Sequence, residues 1–314
     1  MKMTEEMDTM SQMLVTANKE MRNNQAIIKQ KNEELANANA NLERTVAERT
    51  KELASAKEKA EESSQLKSTF LASLGHEVRT PMNAIVGFAK LLQADDCSQE
   101  DRAEFAHLIL ESSNSMLTLM GALLDTSRIE RGVMEISLAD TDVYREISDT
   151  WRMLSVEKKN KEVEFTLNLD DNLKDQILVT DKDRLRQIII NITYNAFKFT
   201  PTGSVTLTAK KETIDIIKHL NYPQDRHLRI FSNDILLVSV EDTGIGIPAD
   251  KTDAIFEPFR RLNSNKARFA GLGLGLNIVK SLTQMLGGDV WVKSILGVGS
   301  TFYFFLPFGL KKDK

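Results

Sequence analysis

Three sets of residues in this sequence have the types and spacing to do chemistry. The first is His76-Glu77, with Thr80 and Asn83 following at the fourth and seventh positions after the histidine. On a helix, His76, Thr80 and Asn83 share one side. An imidazole whose one ring N–H is held by a neighbouring carboxylate presents its other nitrogen as a nucleophile. The second set is Asn191, Asn195 and Lys198, spaced i, i+4, i+7. Side-chain carbonyls are hard oxygen ligands suited to Mg2+, and a nearby ammonium suits phosphate. The third is a pair of glycine-bearing turns, Asp242-Thr243-Gly244-Ile245-Gly246-Ile247-Pro248 and Gly271-Leu272-Gly273-Leu274-Gly275-Leu276. In the former, glycine permits positive φ and close ligand approach, and the Asp can accept a hydrogen bond from an exocyclic amine. The latter opens a helix, whose free backbone N–H groups and dipole can cradle phosphate. Each set also has an ordinary reading: a solvated His-Glu pair, hydrogen-bonded Asn on a helix surface, tight or flexible turns. A dinucleotide fold fails for the second turn, because no strand leads directly into it and the spacing differs.

The elements that must position these residues follow from periodicity. Phe70, Leu74, Val78, Met82, Ile85, Ala89 and Leu92 recur at steps of three and four, which draws one apolar stripe along a helix. At about 100° per residue His76 falls on the side away from it. Pro81 cannot donate to the carbonyl of Glu77, so a kink or loosening is expected just past the histidine. Upstream, a heptad places Ile28, Leu35, Leu42, Ala56 and Phe70 at one position and Val46, Leu53, Ala60 and Leu74 at the other. Asn39, Arg49, Ser63 and Lys67 interrupt it. Neither Pro nor Gly occurs before Gly75, so one helix from about residue 28 into the His76 segment is expected, paired as a parallel coiled coil. Residues 93–99 read as a loop with Ser98 a candidate N-cap. A second helix over about 99–131 puts Phe105, Leu108, Ile109, Met116, Leu119, Met120, Leu123 and Leu124 on its core side, and Gly132 suits its stop. Such a hairpin cannot bury both stripes alone, so two chains should form a four-helix bundle.

From residue 133 the pattern alternates: helices over 143–159, 183–199 and 276–285, strands over 162–169, 203–210, 235–240, about 290–292 and 301–306. Sheet plus helices on one side makes a two-layer α/β sandwich. Residues 211–235 read as a long insertion between strands, with no assigned function. The expected organisation is a helix or coiled coil at 1–60, a helical dimerisation hairpin at 61–135 and an α/β domain at 136–314.

Bulk properties narrow the class. The chain has 314 residues, 27% charged and 41% hydrophobic, with a net charge of −4. That balance gives no reason to expect nucleic acid or an anionic membrane as partner. The single cysteine, Cys97, rules out an intrachain disulfide and a multi-Cys zinc site, which fits a reducing, cytoplasmic setting. No apolar run approaches the roughly eighteen residues of a membrane span. Because the sequence starts in mid-helix pattern, it is expected to be a piece of a longer protein.

In this order, the motifs are similar to those of one family. Phe-Leu-Ala-x-x-x-His-Glu-x-Arg-Thr-Pro-x-Asn-x-Ile over 70–85 resembles the H-box of sensor histidine kinases. Gly75 departs from it, standing where the family usually has Ser or Asn. Residues 42–53 resemble the signalling helix that often precedes the H-box, and Leu124-Asp125-Thr126-Ser127-Arg128-Ile129-Glu130 resembles the end of the hairpin. The Asn191/Asn195/Lys198 helix looks like the N-box, 242–248 the first Gly box, Phe256-Glu257-Pro258-Phe259 the F-box and 271–276 the second Gly box. The resemblance covers about residues 40–307 and implies a Bergerat-type ATP-binding fold shared with gyrase-like ATPases. It further implies Asn195 as a Mg2+ ligand with Asn191 beside it, Lys198 on phosphate, Phe199 by the adenine and Asp242 on the adenine amine. Gly244, Gly246, Phe259, Gly271, Gly273, Gly275 and Leu276 complete the implied nucleotide site, with 256–275 as a mobile lid. Leu272 departs from the usual Thr or Ser; Lys266 and Arg268 are both open as lid cations. The implied activity is autophosphorylation of His76 from ATP, with Glu77 as polarising base, then transfer to an Asp of a response regulator. Thr80 is implied to position water for dephosphorylating that regulator. A gyrase-like ATPase or chaperone module remains an alternative that has no use for the His-Glu helix. So does a dimeric scaffold with a dead site, which would be expected to lose Asp242, Asn195 or His76.

Overall fold

The computed structural model describes residues 2–93, 97–158, 160, 162–223, 232–260 and 273–309. They fall into two compact units, Met1–Gln65 and Leu66–Lys314.

The first unit is the beginning of helix α1, Lys2–Leu91. The helix starts earlier than the heptad, since the polar stretch before residue 28 lacks Gly and Pro and is rich in good helix formers. Ile28, Leu35, Leu42, Val46 and Leu53 are exposed along it. Surface ion pairs such as Lys31–Glu34 at 2.9 Å and Arg49–Glu52 at 3.1 Å add little each.

The second unit opens with the rest of α1, which returns as α2, Gln99–Glu130. Phe88 and Phe105 stack across this hairpin, ring centroids 5.8 Å apart. The Ser98 side chain accepts from Asp101 N–H at 3.0 Å, the expected cap. Gly132 takes φ +66° just past the helix, which suits glycine there. Helix α1 runs on through Pro81, which is buried. Met82, Met120 and Leu124, expected in the core of a two-chain bundle, are 48%, 49% and 59% exposed in the single chain. The hairpin has two apolar sides, and one chain covers only one of them.

Next come β1 (Ala139–Asp142), α3 (Val143–Glu157), β2 (Val163–Leu169), β3 (Ile177–Thr180), α4 (Lys182–Phe199), β4 (Gly203–Thr213), β5 (Asp234–Asp242), α5 (Gly275–Met285), β6 (Asp289–Ile295) and β7 (Gly299–Pro307). β1 and β3 form a small antiparallel pair, which the sequence reading missed because each has only four residues. The main sheet has the order β2-β4-β5-β7-β6, antiparallel except for the parallel β2–β4 pair. The apolar faces of α3, α4 and α5 (Ile147, Leu154, Leu185, Ile188, Ile192, Ile278, Leu282) pack on one side against Leu236, Val238, Val240, Val290, Phe302 and Phe304.

The insertion, read without a function, covers the other side. A 3₁₀ segment, Ile214–His219, and the residues after it bury Ile217 with Ile235, Leu237, Trp291 and Phe305. Trp291 Nε1–H donates to Leu220 O at 2.9 Å, and Tyr222 O–H donates to Asp289 Oδ2 at 2.7 Å. This explains why Ile235-Leu236-Leu237-Val238 is apolar without alternation: β5 is buried on both faces there.

Candidate active site

Helix α4 places the second chemical set. Asp181 caps it, accepting from Asp183 N–H and Arg184 N–H at 3.1 and 3.2 Å. Ile188, Ile189, Ile192, Thr193 and Ala196 face the core, which leaves Asn191, Asn195 and Lys198 along a cavity of about 390 Å3. Tyr194 lies between them and hydrogen-bonds Glu157 of α3. Burial, and then that bond, push its phenol up to about 12, so it stays protonated at neutral pH and acts as a tie between the helices.

Asp242, Ile245, Gly246 and Ile247 also line the cavity, with Ser300 and Phe302 from the neighbouring strand. Asp242 is buried, and its Oδ1 accepts from Gly244 N–H at 2.9 Å. Burial pushes its carboxyl above the ordinary aspartate value, while backbone N–H groups of Gly244 and Ser300 pull the other way. Gly244 itself is not in the lining. A Cβ there would meet Phe199 O at 2.3 Å and Asp242 Oδ1 at 2.8 Å, so this glycine is a spacer that aims Asp242. At Gly246, φ +67° and a Cβ contact of 2.1 Å with Ile295 O both require glycine.

The other end of the cavity is the start of α5. Gly273, at φ +70°, Leu274, Gly275 and Leu276 line it. A Cβ on Gly275 would lie 3.3 Å from Asn191 Oδ1 and 3.8 Å from Asn195 Nδ2, so both amides converge on the helix N-terminus. Lys198 Nζ lies 5.0 Å from the centroid of the Phe199 ring, and both residues line the cavity. The cavity thus runs from a buried carboxylate between apolar walls to a cluster of amides, an ammonium and free helix N–H groups. A purine-like ring bearing an amine fits the first end and a polyphosphate the second.

Besides Gly244, other expected residues sit elsewhere or outside the described residues. Phe259 does not line the cavity; its ring packs on Phe70 of α1, centroids 4.3 Å apart. Gly271, Leu272, Lys266 and Arg268 lie outside the described residues. Conversely, Thr118, Leu119 and Ala122 of α2, and Lys251 and Arg260, line the cavity unforeseen. Only the fold brings α2 to it. Helix α2 is held there by Asp125, whose Oδ2 accepts from Gln187 Nε2 at 2.7 Å and lies 3.7 Å from Arg184 Nη1.

The first chemical set stands on the hairpin as expected. His76 is exposed, while Leu74 and Val78 are half-buried. Thr80 Oγ1–H donates to His76 O at 3.2 Å. Glu77 is half-buried beside the histidine.

Two family models match the chain. Residues 66–132 match the His Kinase A (phospho-acceptor) domain, which contains His76. Residues 180–310 match the histidine kinase-, DNA gyrase B- and HSP90-like ATPase, which contains the cavity's α4, β5 and α5. The chain belongs to the sensor histidine kinases. It carries the catalytic core of an ATP-dependent protein-histidine kinase. Among similar proteins is the autoinducer 2 sensor kinase/phosphatase LuxQ of Vibrio parahaemolyticus, 39% identical over 269 residues, 84% of this chain and 29% of LuxQ. The signal transduction histidine-protein kinase BarA of Escherichia coli is 31% identical over 263 residues, 83% of this chain and 27% of BarA. The chain therefore spans less than a third of these relatives. A crystal structure of full-length ShkA in complex with AMPPNP aligns at TM-score 0.53 with 31% identity, covering 77% of this chain and 46% of that one. The phospho-acceptor match weighs against a gyrase-like ATPase, which has no need of the histidine kinase's exposed His-Glu helix. Among the described residues no helix is long and apolar enough to cross a membrane.

Proposed function

We propose that this histidine kinase transfers the γ-phosphoryl group of ATP to His76 and then passes it to an aspartate of a response-regulator receiver domain. The observation that carries the reading is the cavity: a buried carboxylate at one end and converging Asn191, Asn195 and α5 N–H groups at the other, in a chain whose His76 is exposed. Asp242 accepts from the adenine amine, Phe199 and Gly246 flank the ring, and Lys198 with the N–H groups after Gly273 and Gly275 binds phosphate. ShkA's complex with an ATP analogue supports the same use of the cavity.

The side-chain amides of Asn191 and Asn195 line the cavity, and an amide oxygen suits Mg2+, which asks for few protein ligands and takes phosphate oxygens and water as the rest. Asn195, with Asn191 beside it, would hold the ion; bound there, it neutralises charge on the triphosphate. In the transfer, a ring nitrogen of His76 forms a bond to the γ-phosphorus as the bond to the ADP oxygen breaks. Glu77 takes the proton from the other ring nitrogen, so the charge developing on the ring is offset. Positioning and charge neutralisation supply most of the catalysis. In the second step a receiver carboxylate oxygen attacks the phosphorus and the imidazole leaves.

The working unit is a homodimer. Leu110, Leu117 and Leu124 recur every seventh residue on α2 and are 63%, 66% and 59% exposed, and Leu71, Met82 and Val86 are exposed on α1. A second hairpin would cover this apolar side and complete a four-helix bundle. Setting in the cytoplasm follows from the need for ATP. The kinase/phosphatase name of LuxQ supports a reverse activity too, in which Thr80 holds the water that hydrolyses the regulator's phosphoryl group.

The test is labelling. With γ-labelled ATP and Mg2+, the chain should acquire phosphate that is labile in acid and stable in base. His76→Gln should remove all of it and leave ATP binding intact, and Glu77→Gln should slow it by about 10²–10⁴. Label persisting in His76→Gln would refute the assignment.

A further inference from the structure

Upstream of residue 46, helix α1 carries a pattern that none of the three chemical sets uses. Leu14, Met21, Ile28, Leu35 and Leu42 recur every seventh residue and are 61%, 58%, 60%, 62% and 63% exposed. Four places after each of the first four stand Asn18, Gln25, Asn32 and Asn39, all exposed. In a heptad the apolar series takes position d and the amide series position a. From Val46 the a series turns apolar, with Leu53 next, and these two are 56% and 71% exposed. Asn39 is thus the last of four side-chain amides in consecutive layers rather than an isolated interruption. Between residues 14 and 56 position d carries a single charge, Arg49, whose Nη1 lies 3.1 Å from Glu52 Oε2. A stripe this narrow needs a partner helix to cover it. The same helix leads on into the hairpin, where exposed Leu71, Met82 and Val86 call for a second copy.

We propose that residues 14–56 are a self-recognition surface, which pairs in parallel and in register with a second copy of this chain, and that Asn18, Gln25, Asn32 and Asn39 select that partner. The proposal rests on the reading of the chain as a homodimer and goes beyond it in naming what chooses the partner and the register. A side-chain amide carries both donors and an acceptor, so two of them facing across a two-fold axis satisfy one another. Layer a meets layer a only in a parallel pair. In an antiparallel pair a meets d, and each amide is buried against Leu, Met or Ile without an answer. A parallel pair slipped by one heptad sets Asn39 against the partner's Val46. The register is therefore fixed by where the amides stop. The flanking charges agree with it. In register, the residue before each a position meets the residue five places on in the other chain. Arg22 then faces the partner's Ala17, Lys29 the partner's Asn24, Lys31 the partner's Ala36, Glu43 the partner's Ala38 and Glu52 the partner's Lys57. No like charges meet, and the last pair attracts. A helix of another protein with apolar residues throughout position a would bury all four amides unanswered.

The experiment reads which chains meet, by disulfide cross-linking of the full chain carrying Cys97→Ser and one reporter cysteine. Chains with Leu35→Cys should link to one another at least about tenfold more than to chains with Leu42→Cys, which stands about 10 Å further along the helix. For partner choice, two tagged forms with the Leu35→Cys reporter are co-expressed, one with its amides intact and one with Asn18→Leu, Gln25→Leu, Asn32→Leu and Asn39→Leu. Like-with-like links should exceed mixed ones by about tenfold over the random ratio. A form with only Asn18→Leu and Gln25→Leu should mix more freely with the parent. Random mixing of the four-fold variant overturns the selecting role of the amides. Equal linking of Leu35→Cys to itself and to Leu42→Cys overturns the register. Should the four-fold variant aggregate, Asn32→Leu with Asn39→Leu carries the same comparison. Sedimentation separates the two levels. A parent that runs as a monomer overturns the homodimer and the proposal together, whereas a dimer whose Leu35→Cys chains do not link overturns the proposal alone.

Discussion

Replacing Gly244 by Ala probes how the carboxylate end of the cavity is built, where the proposed reading seats adenine. The new Cβ would lie 2.3 Å from Phe199 O and 2.8 Å from both Asp242 Oδ1 and Thr200 Oγ1. The first contact is about an ångström short of ordinary van der Waals distance, and its partner cannot simply turn away. Phe199 O already accepts from Ile245 N–H at 3.2 Å, and Thr200 is fully buried. The turn must therefore move, and with it the bond from Gly244 N–H to Asp242 Oδ1 at 2.9 Å. Overpacking costs about 1–3 kcal/mol, and losing a hydrogen bond to a charged group about 1.5–3 kcal/mol. The two overlap, so the expected destabilisation is about 3–5 kcal/mol, or roughly 6–20 °C in melting midpoint for a unit of this size. Nucleotide affinity should fall at least about tenfold, because the carboxylate is no longer aimed. Thermal melts followed by calorimetric titration with ATP read both effects. A variant that melts within about 2 °C of the parent and binds ATP as tightly would refute the view of Gly244 as a spacer.

Gly75→Ala is the contrasting substitution: nothing lies within 4 Å of its Cβ, so a gain of about 0.5–1 kcal/mol in denaturant unfolding is expected from helix propensity alone. A loss would show that the glycine beside His76 meets something there. Trp291→Ala removes the plate between sheet and insertion and orphans Leu220 O; a cost of about 3–5 kcal/mol is expected, and one below about 1 kcal/mol would deny the insertion a structural role. Burial raises the Asp242 carboxyl above its ordinary 3.8. In the free protein the stability tied to this shift is therefore full below the unfolded value and lost as pH rises through the folded one. On the proposed reading the nucleotide amine requires the ionised form, so ATP affinity should fall on acidification with a midpoint above 3.8, and a midpoint at or below that value would refute it.

The sequence by itself determined the parts whose physics is local. The stripe through Phe70, Leu74 and Val78 put His76 on the outward side of its helix, and the unbroken run before Gly75 made that helix long. The spacing of Asn191, Asn195 and Lys198 gave them one face, because a helix repeats within seven residues whatever surrounds it. The glycines at 244 and 246 marked a backbone that must approach other groups closely. Tertiary structure decided what depends on residues distant in sequence. It placed α2 against the nucleotide cavity through Asp125 and Gln187, 62 positions apart. Phe259 it turned onto Phe70, and Arg260 into the cavity. It also laid residues 214–222 over the outer face of the sheet, so that Trp291 and Leu237 became core. No periodicity announces such contacts, since a single Phe, Arg or Trp reads alike on any surface until a second element meets it. Met82, Met120 and Leu124 show the same limit from the other side. An apolar residue at helical spacing must be covered, but only the assembled fold says which surface covers it.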